Sequence, residues 1–194
     1  MTLPVGSHAP DFRGTDEKGN AITLYEVLKD HNVVLYFYPK DETPGCTKEA
    51  CTFRDNWEDI NKLGATVIGI SSDSVESHRK FKENHSLPFT LISDPDKSIR
   101  KAYDAIGTLL PPRISYVITK DGTIIHVYNS QINPAAVTIF ILFFCAAFTS
   151  MLSIPTPALA ITFSLLPFSI TSPVTFVLLL TTITSNSGMR CMSS

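Results

Sequence analysis

The spacing of apolar residues along the first 130 positions changes repeatedly, and each change marks an element. Residues 33–38, VVLYFY, form an unbroken apolar run of β-branched and aromatic side chains. Such a run predicts a strand buried on both faces. ATVIGISS (65–72) and FTLISD (89–94) predict two more strands. Between the first two strands, Ala50, Phe53, Trp57 and Ile60 recur at spacings of three and four. They predict a helix from Thr47 to about Lys62, stopped by Gly64. DSVESHRKFKENHS (73–86) predicts a polar helix capped by Asp73 or Ser74, with Glu76 in its first turn. LYEVLKDH (24–31) and DKSIRKAYDAI (96–106) predict shorter helices. Near the start, GTDEKGNAITLYEV reads as a hairpin turning at Lys18-Gly19-Asn20. RISYVIT (113–119) and TIIHVYN (123–129) flank Lys120-Asp121-Gly122, and Asp-Gly between alternating apolar runs predicts a second hairpin. The order of elements defines an α/β fold, a mixed sheet with helices on its faces.

Charge and cysteine usage narrow the class. The net charge of −2 gives no electrostatic case for nucleic acid. Four cysteines, Cys46, Cys51, Cys145 and Cys191, are too few for a secreted disulfide scaffold of this length. The start, MTLPVGSHAPDF, has neither a basic segment with a long apolar run nor an Arg- and Ser-rich transit composition. The expectation is a reducing, intracellular compartment, cytoplasmic by default.

The chemistry gathers in PKDETPGCTKEAC (39–51), where a strand hands over to a helix. With Cys46 as the first helical residue, five positions to Cys51 give about 7.5 Å of rise and a Cα separation of about 8.6 Å. A disulfide needs less than about 7 Å. The two sulfurs therefore cannot join while the helix is intact, which suits a cysteine that reacts first and is resolved later. A helix N-terminus favours an anionic sulfur at Cys46 through free N–H groups and the positive dipole end. Pro44-Gly45 stiffen the turn and let backbone approach a ligand. The Thr43 hydroxyl can bond the sulfur or an incoming oxygen, and Pro39 ends the strand and shields the site. Arg113, at the mouth of a core strand, is the candidate cation, because an arginine there needs a reason.

Other polar residues carry plainer readings. Cys51 can be a small core hydrophobe. Zinc binding is disfavoured by the absence of a second cysteine pair. His78 and His85 fall on the polar helix and are expected to be solvated. Trp57 is expected in the core, and Asp73-Ser74 is expected to cap a helix.

The string from Pro39 to Cys46 resembles the peroxiredoxin signature of Pro, three residues, Thr, two residues, Cys. Residues 43–51 with Phe53-Arg54-Asp55 are similar to the peroxiredoxin Q, or bacterioferritin comigratory protein, subgroup. Gly6, Ala9-Pro10-Asp11-Phe12, Gly69-Ile70-Ser71 and residues 112–118 extend the resemblance over about 3–134. It implies a thioredoxin-like fold and a thiol peroxidase that uses no metal or organic cofactor. Cys46 would be the peroxidatic cysteine, attacking hydrogen peroxide or a small organic hydroperoxide. Thr43 and Arg113 would hold peroxide and thiolate, Pro39 would shield the pocket, and Glu49 would organise Arg113. Cys51 would be the resolving cysteine of an atypical two-cysteine cycle, and thioredoxin or a similar dithiol the reductant. The alternative is a thioredoxin-fold redox sensor or partner-binding module, which peroxide turnover with thioredoxin would distinguish.

The resemblance ends where the charge does. Beyond residue 136 only Arg190 is charged among Lys, Arg, Asp and Glu. The family pattern asks for an amphipathic helix after Asn133, but PAAVTIFILFFCAAF stands there. The chain is thus read as a domain over 1–136, lacking its usual last helix, and an apolar tail over 137–194. Residues 135–152 and 158–183 are uncharged and about long enough to span a bilayer, so a membrane partner would act through 135–183. Against that, Pro167 and Pro173 interrupt the second run and no aromatic belt flanks it. From Val137 to Ser185 every residue but Cys145 can be encoded with a pyrimidine at the middle codon position. A translated non-coding stretch has that composition without selection, and the composition favours this second reading.

Overall fold

The computed structural model describes residues 2–107 and 112–129. Seven strands form one mixed sheet: β1 (Arg13–Asp16), β2 (Ala21–Thr23), β3 (Asn32–Phe37), β4 (Ala65–Ser71), β5 (Thr90–Ser93), β6 (Ile114–Ile118) and β7 (Ile124–Asn129). Five helices intervene: α1 (Leu24–Leu28), α2 (Pro44–Asp55), α3 (Trp57–Lys62), α4 (Val75–His85) and α5 (Ser98–Ala102). The strand order is β2-β1-β5-β4-β3-β6-β7. The central strand β3 runs parallel to β4 and antiparallel to β6. Both expected hairpins form, β1–β2 and β6–β7.

Alternation along β3 shows why its apolar run is continuous. Val33, Leu35 and Phe37 face one core, with Leu24 and Leu28 of α1 and Ile99 of α5. Val34, Tyr36 and the following Tyr38 face the other, with Ala50 and Phe53 of α2, Ile60 of α3 and Phe81 of α4. Each face has its own apolar layer, so neither side of the strand meets water. Cys46 belongs to the second core.

Two helices differ from their expected form. The helix expected from Thr47 to Lys62 begins three residues earlier, at Pro44, and breaks at Asn56 (φ −107°, ψ 12°). The Asn56 side-chain amide donates to the Thr52 carbonyl at 2.8 Å. Such local bonding by Asn competes with the helical backbone ladder. Trp57, expected in the core, therefore opens a new helix and is only half-buried, its ring 6.1 Å from that of Phe89. In the polar helix α4 the cap is Ser74, whose side chain accepts from the Ser77 N–H. Its buried side is only two residues wide, and those are Phe81 and His78.

The expected boundary at 136/137 and the apolar tail lie outside the described residues. Among the described residues no helix is long and apolar enough to cross a membrane.

Candidate active site

β3 delivers the chain to the carboxyl edge of the sheet, and α2 starts there. Thr43 is extended (φ −83°, ψ 145°) and precedes the helix, with Pro44 at its first position. Proline suits that position because its ring presets the helical φ and a first-turn N–H has no intrahelical acceptor to lose. The Thr47 N–H makes a helical bond to the Thr43 carbonyl at 2.8 Å. The N–H groups of Gly45 and Cys46, inside that turn, have no intrahelical acceptor. Cys46 is thus the third helical residue rather than the first, still within the turn where the dipole is felt.

Two side chains converge on the Cys46 sulfur, which is a free thiol and 1% exposed. The Thr43 hydroxyl donates to Sγ at 2.8 Å. Arg113, just before β6, donates from Nη2 to Sγ at 3.2 Å and from Nη1 to Glu49 Oε2 at 2.8 Å. The guanidinium fork therefore spans from a carboxylate on the second turn of α2 to the sulfur on its first. Glu49 is 1% exposed, and burial pushes its carboxyl up to about 7 against the pull of Arg113. Pro39 stands half-buried two residues beyond β3.

Cys51 is buried at the eighth position of α2. It is disulfide-bonded, though not to Cys46, whose thiol is free. Because α2 is helical through both positions, the separation of about 8.6 Å between their Cα atoms stands.

The fold gives Gly45 a further reason to lack a side chain. A Cβ there would lie 2.8 Å from Arg113 Nη2, so the missing side chain makes room for the guanidinium on its way to Sγ. That head is held at both ends and cannot swing aside freely. Gly45→Ala is expected to slow oxidation of Cys46 by about tenfold, the loss of roughly one charge-assisted hydrogen bond. The check is the single-turnover rate with peroxide, alongside circular dichroism to show that the helix remains.

His78 corrects its expected place in solvent. It is fully buried, with Nδ1 2.9 Å from Asp41 Oδ2 and Nε2 3.2 Å from the Ile92 carbonyl. His85 is also mostly covered, its side chain 20% exposed and Nε2 3.0 Å from Glu42 Oε2. Asp41, between Pro39 and Thr43, is 4% exposed and accepts from the Tyr38 hydroxyl at 2.7 Å and the Ser77 hydroxyl at 2.7 Å. Burial would raise the Asp41 carboxyl, but His78, Tyr38 and Ser77 outweigh it and hold the group below its ordinary value. The sequence held one hint of this cluster: His78 and Phe81 are three apart, one face of a helix.

A sulfur bonded by a threonine and an arginine at a helix start, on a mixed sheet with helices on both faces, marks the thiol-dependent members of the thioredoxin-like fold. The match to known proteins agrees: the AhpC/TSA family fits residues 5–127, and the chain belongs to that family, within it to the peroxiredoxin Q subgroup. The chloroplastic peroxiredoxin Q of Oryza sativa subsp. japonica is 50% identical over 133 residues, which cover 66% of this chain and 60% of the rice one. The chain thus spans about three-fifths of the length of such curated relatives. Peroxidoxin BcpB from Mycobacterium tuberculosis superposes with a TM-score of 0.71 at 34% identity, covering 76% of this chain and 97% of that one. A Xanthomonas campestris bacterioferritin comigratory protein, solved in connection with its alkyl peroxide reduction activity, superposes at 0.66 with 29% identity, over 71% and 91% of the two chains.

Proposed function

We propose that the chain is a thiol peroxidase in which Cys46 is oxidised by hydrogen peroxide or a small organic hydroperoxide. The observation that carries this reading is the convergence of Thr43 and Arg113 on the Cys46 sulfur. The Cys46 thiolate attacks the terminal peroxide oxygen, the O–O bond breaks, and water or an alcohol leaves as the sulfur becomes sulfenic acid. Two electrons pass from sulfur to the peroxide. Arg113, Thr43 and the free N–H groups of the helix start stabilise the charge that grows on the leaving oxygen. Glu49 holds the other arm of Arg113, and Pro39 shields the pocket. The alkyl peroxide reduction of the Xanthomonas relative supports including organic hydroperoxides among the substrates.

Cys51, once present as a free thiol, is the resolving cysteine. Its sulfur displaces the sulfenic hydroxyl as water and forms the Cys46–Cys51 disulfide, and thioredoxin or a similar dithiol reduces that bond by exchange. The cycle needs no metal or organic cofactor and runs in a reducing, intracellular compartment. Closing about 8.6 Å of Cα separation requires the first turns of α2 to unwind. Protein first reduced with dithiothreitol should consume peroxide repeatedly with thioredoxin present. On stoichiometric peroxide alone it should lose about one to two helical turns of far-UV circular dichroism, recovered with dithiothreitol. Oxidation of Cys46 without turnover would sink the peroxidase reading and leave a redox sensor.

A further inference from the structure

The two residues before Thr43 are each fastened to a distant helix. Glu42 sits at φ 58°, in the left-handed region that non-glycine residues rarely hold. Backbone of that kind persists only where its surroundings over-determine it. Its carboxylate accepts from Asn84 Nδ2 at 2.9 Å and lies 3.0 Å from His85 Nε2, both near the end of α4. Asp41 is fastened more deeply. Its Oδ1 accepts from Tyr38, its Oδ2 from Ser77 and His78 of α4, and its own N–H donates to Asp73 Oδ2 at 2.8 Å. His78 is in turn anchored on the Ile92 carbonyl of β5. Both ring nitrogens of His78 thus lie within hydrogen-bond reach of an oxygen, one on the loop before Thr43 and one on β5.

Thr43 has no comparable anchor. Its hydroxyl reaches Sγ at 2.8 Å and lies 3.2 Å from the Lys40 carbonyl, and it makes no side-chain cap bond to the helix. Its aim therefore depends on where the chain is held just before it. We propose, building on the peroxidase reading, that Asp41, clamped by His78, Ser77 and Tyr38, is a positioning residue that fixes the start of α2 so that Thr43 points at the Cys46 sulfur. A carboxylate that accepts three short bonds inside the protein is a rigid pivot, since no water competes for it. Asn at position 41 keeps the shape but replaces one of the two acceptor oxygens with an NH2 donor, so one oxygen is left for the bonds that two now accept.

The test is a double-mutant cycle on the full chain, reduced with dithiothreitol. The rate of Cys46 oxidation by hydrogen peroxide is followed by dimedone trapping and mass spectrometry of the Cys46 peptide. Asp41→Asn and Thr43→Val are each expected to slow oxidation by about tenfold, and together by little more than either alone. Non-additivity separates positioning from mere destabilisation, which would multiply the two effects to about a hundredfold. A hundredfold loss in the double variant, or a wild-type rate in Asp41→Asn, overturns the proposal. If Asp41→Asn loses its circular dichroism, the same cycle is run with Tyr38→Phe and Ser77→Ala, each of which removes one bond and leaves the carboxylate. Wild-type rates in both then overturn it. If peroxide fails to oxidise Cys46 in the unmutated chain, the peroxidase reading falls by itself. The cycle then runs on alkylation of Cys46 by iodoacetamide, where the same non-additivity is expected and additivity overturns the positioning role.

Discussion

Cys46→Ser is expected to abolish peroxide consumption outright. A serine hydroxyl is isosteric but not ionised near neutral pH, so the Thr43 and Arg113 donors would face a group that cannot attack. Both donors reach that one sulfur, at 2.8 and 3.2 Å. Cys51→Ser should behave differently. The sulfenic acid still forms, so the variant should reduce one equivalent of peroxide per chain and then stall, because no thiol at position 51 displaces the hydroxyl. Stopped-flow peroxide consumption with and without thioredoxin reads both outcomes. Sustained turnover by Cys51→Ser with thioredoxin would show that Cys51 is a core residue and that another thiol resolves the intermediate.

Arg113→Lys should slow Cys46 oxidation by about tenfold or more, although the charge is kept. The guanidinium bridges Glu49 Oε2 and Sγ with two different nitrogens, and a lysine offers one. Melting temperature should change little, since the side chain stands at the site rather than inside either apolar layer. Loss of fold with full activity in the surviving fraction would make Arg113 structural instead. Glu49 adds a pH signature. Its folded carboxyl is raised by burial from an ordinary 4.5 to about 7. The folded state therefore binds the proton more tightly than the unfolded chain does. The stability this contributes is full below 4.5 and is lost as pH rises through about 7. Melting curves between these values should fall with pH in the wild type and run flatter in Glu49→Gln. Above about 7 the ionised Glu49 grips Arg113, so the wild-type oxidation rate should show an inflection there that Glu49→Gln lacks.

Local chemistry was legible because it is local. The apolar run at 33–38 could only be a doubly buried strand, and Asp121-Gly122 could only turn a hairpin, since each signal is complete within a few residues. The Thr43-to-Cys46 contact was readable for the same reason: the two are three apart across a helix start. Arg113 was legible as an oddity, an arginine entering a core strand, and the antiparallel pairing of β6 with β3 puts it beside the sulfur. Tertiary structure decided the rest. The break at Asn56 coincides with a side-chain bond to the Thr52 carbonyl, which the Asn56 N–H also reaches, and spacing does not encode that local choice. The necessity of Gly45 appears only when the guanidinium of Arg113, distant in sequence and just before β6, is brought against it. His78 looks polar in a polar helix, and its burial follows from the docking of α4 over β5 and the loop before Thr43, which supplies Asp41 as a buried partner. What the sequence determined by itself was most of the elements, and Cys46 at a helix start with Thr43 three residues before it. What folding alone decided was which distant groups hold them in place, because a hydrogen bond across 37 residues leaves no period in the chain.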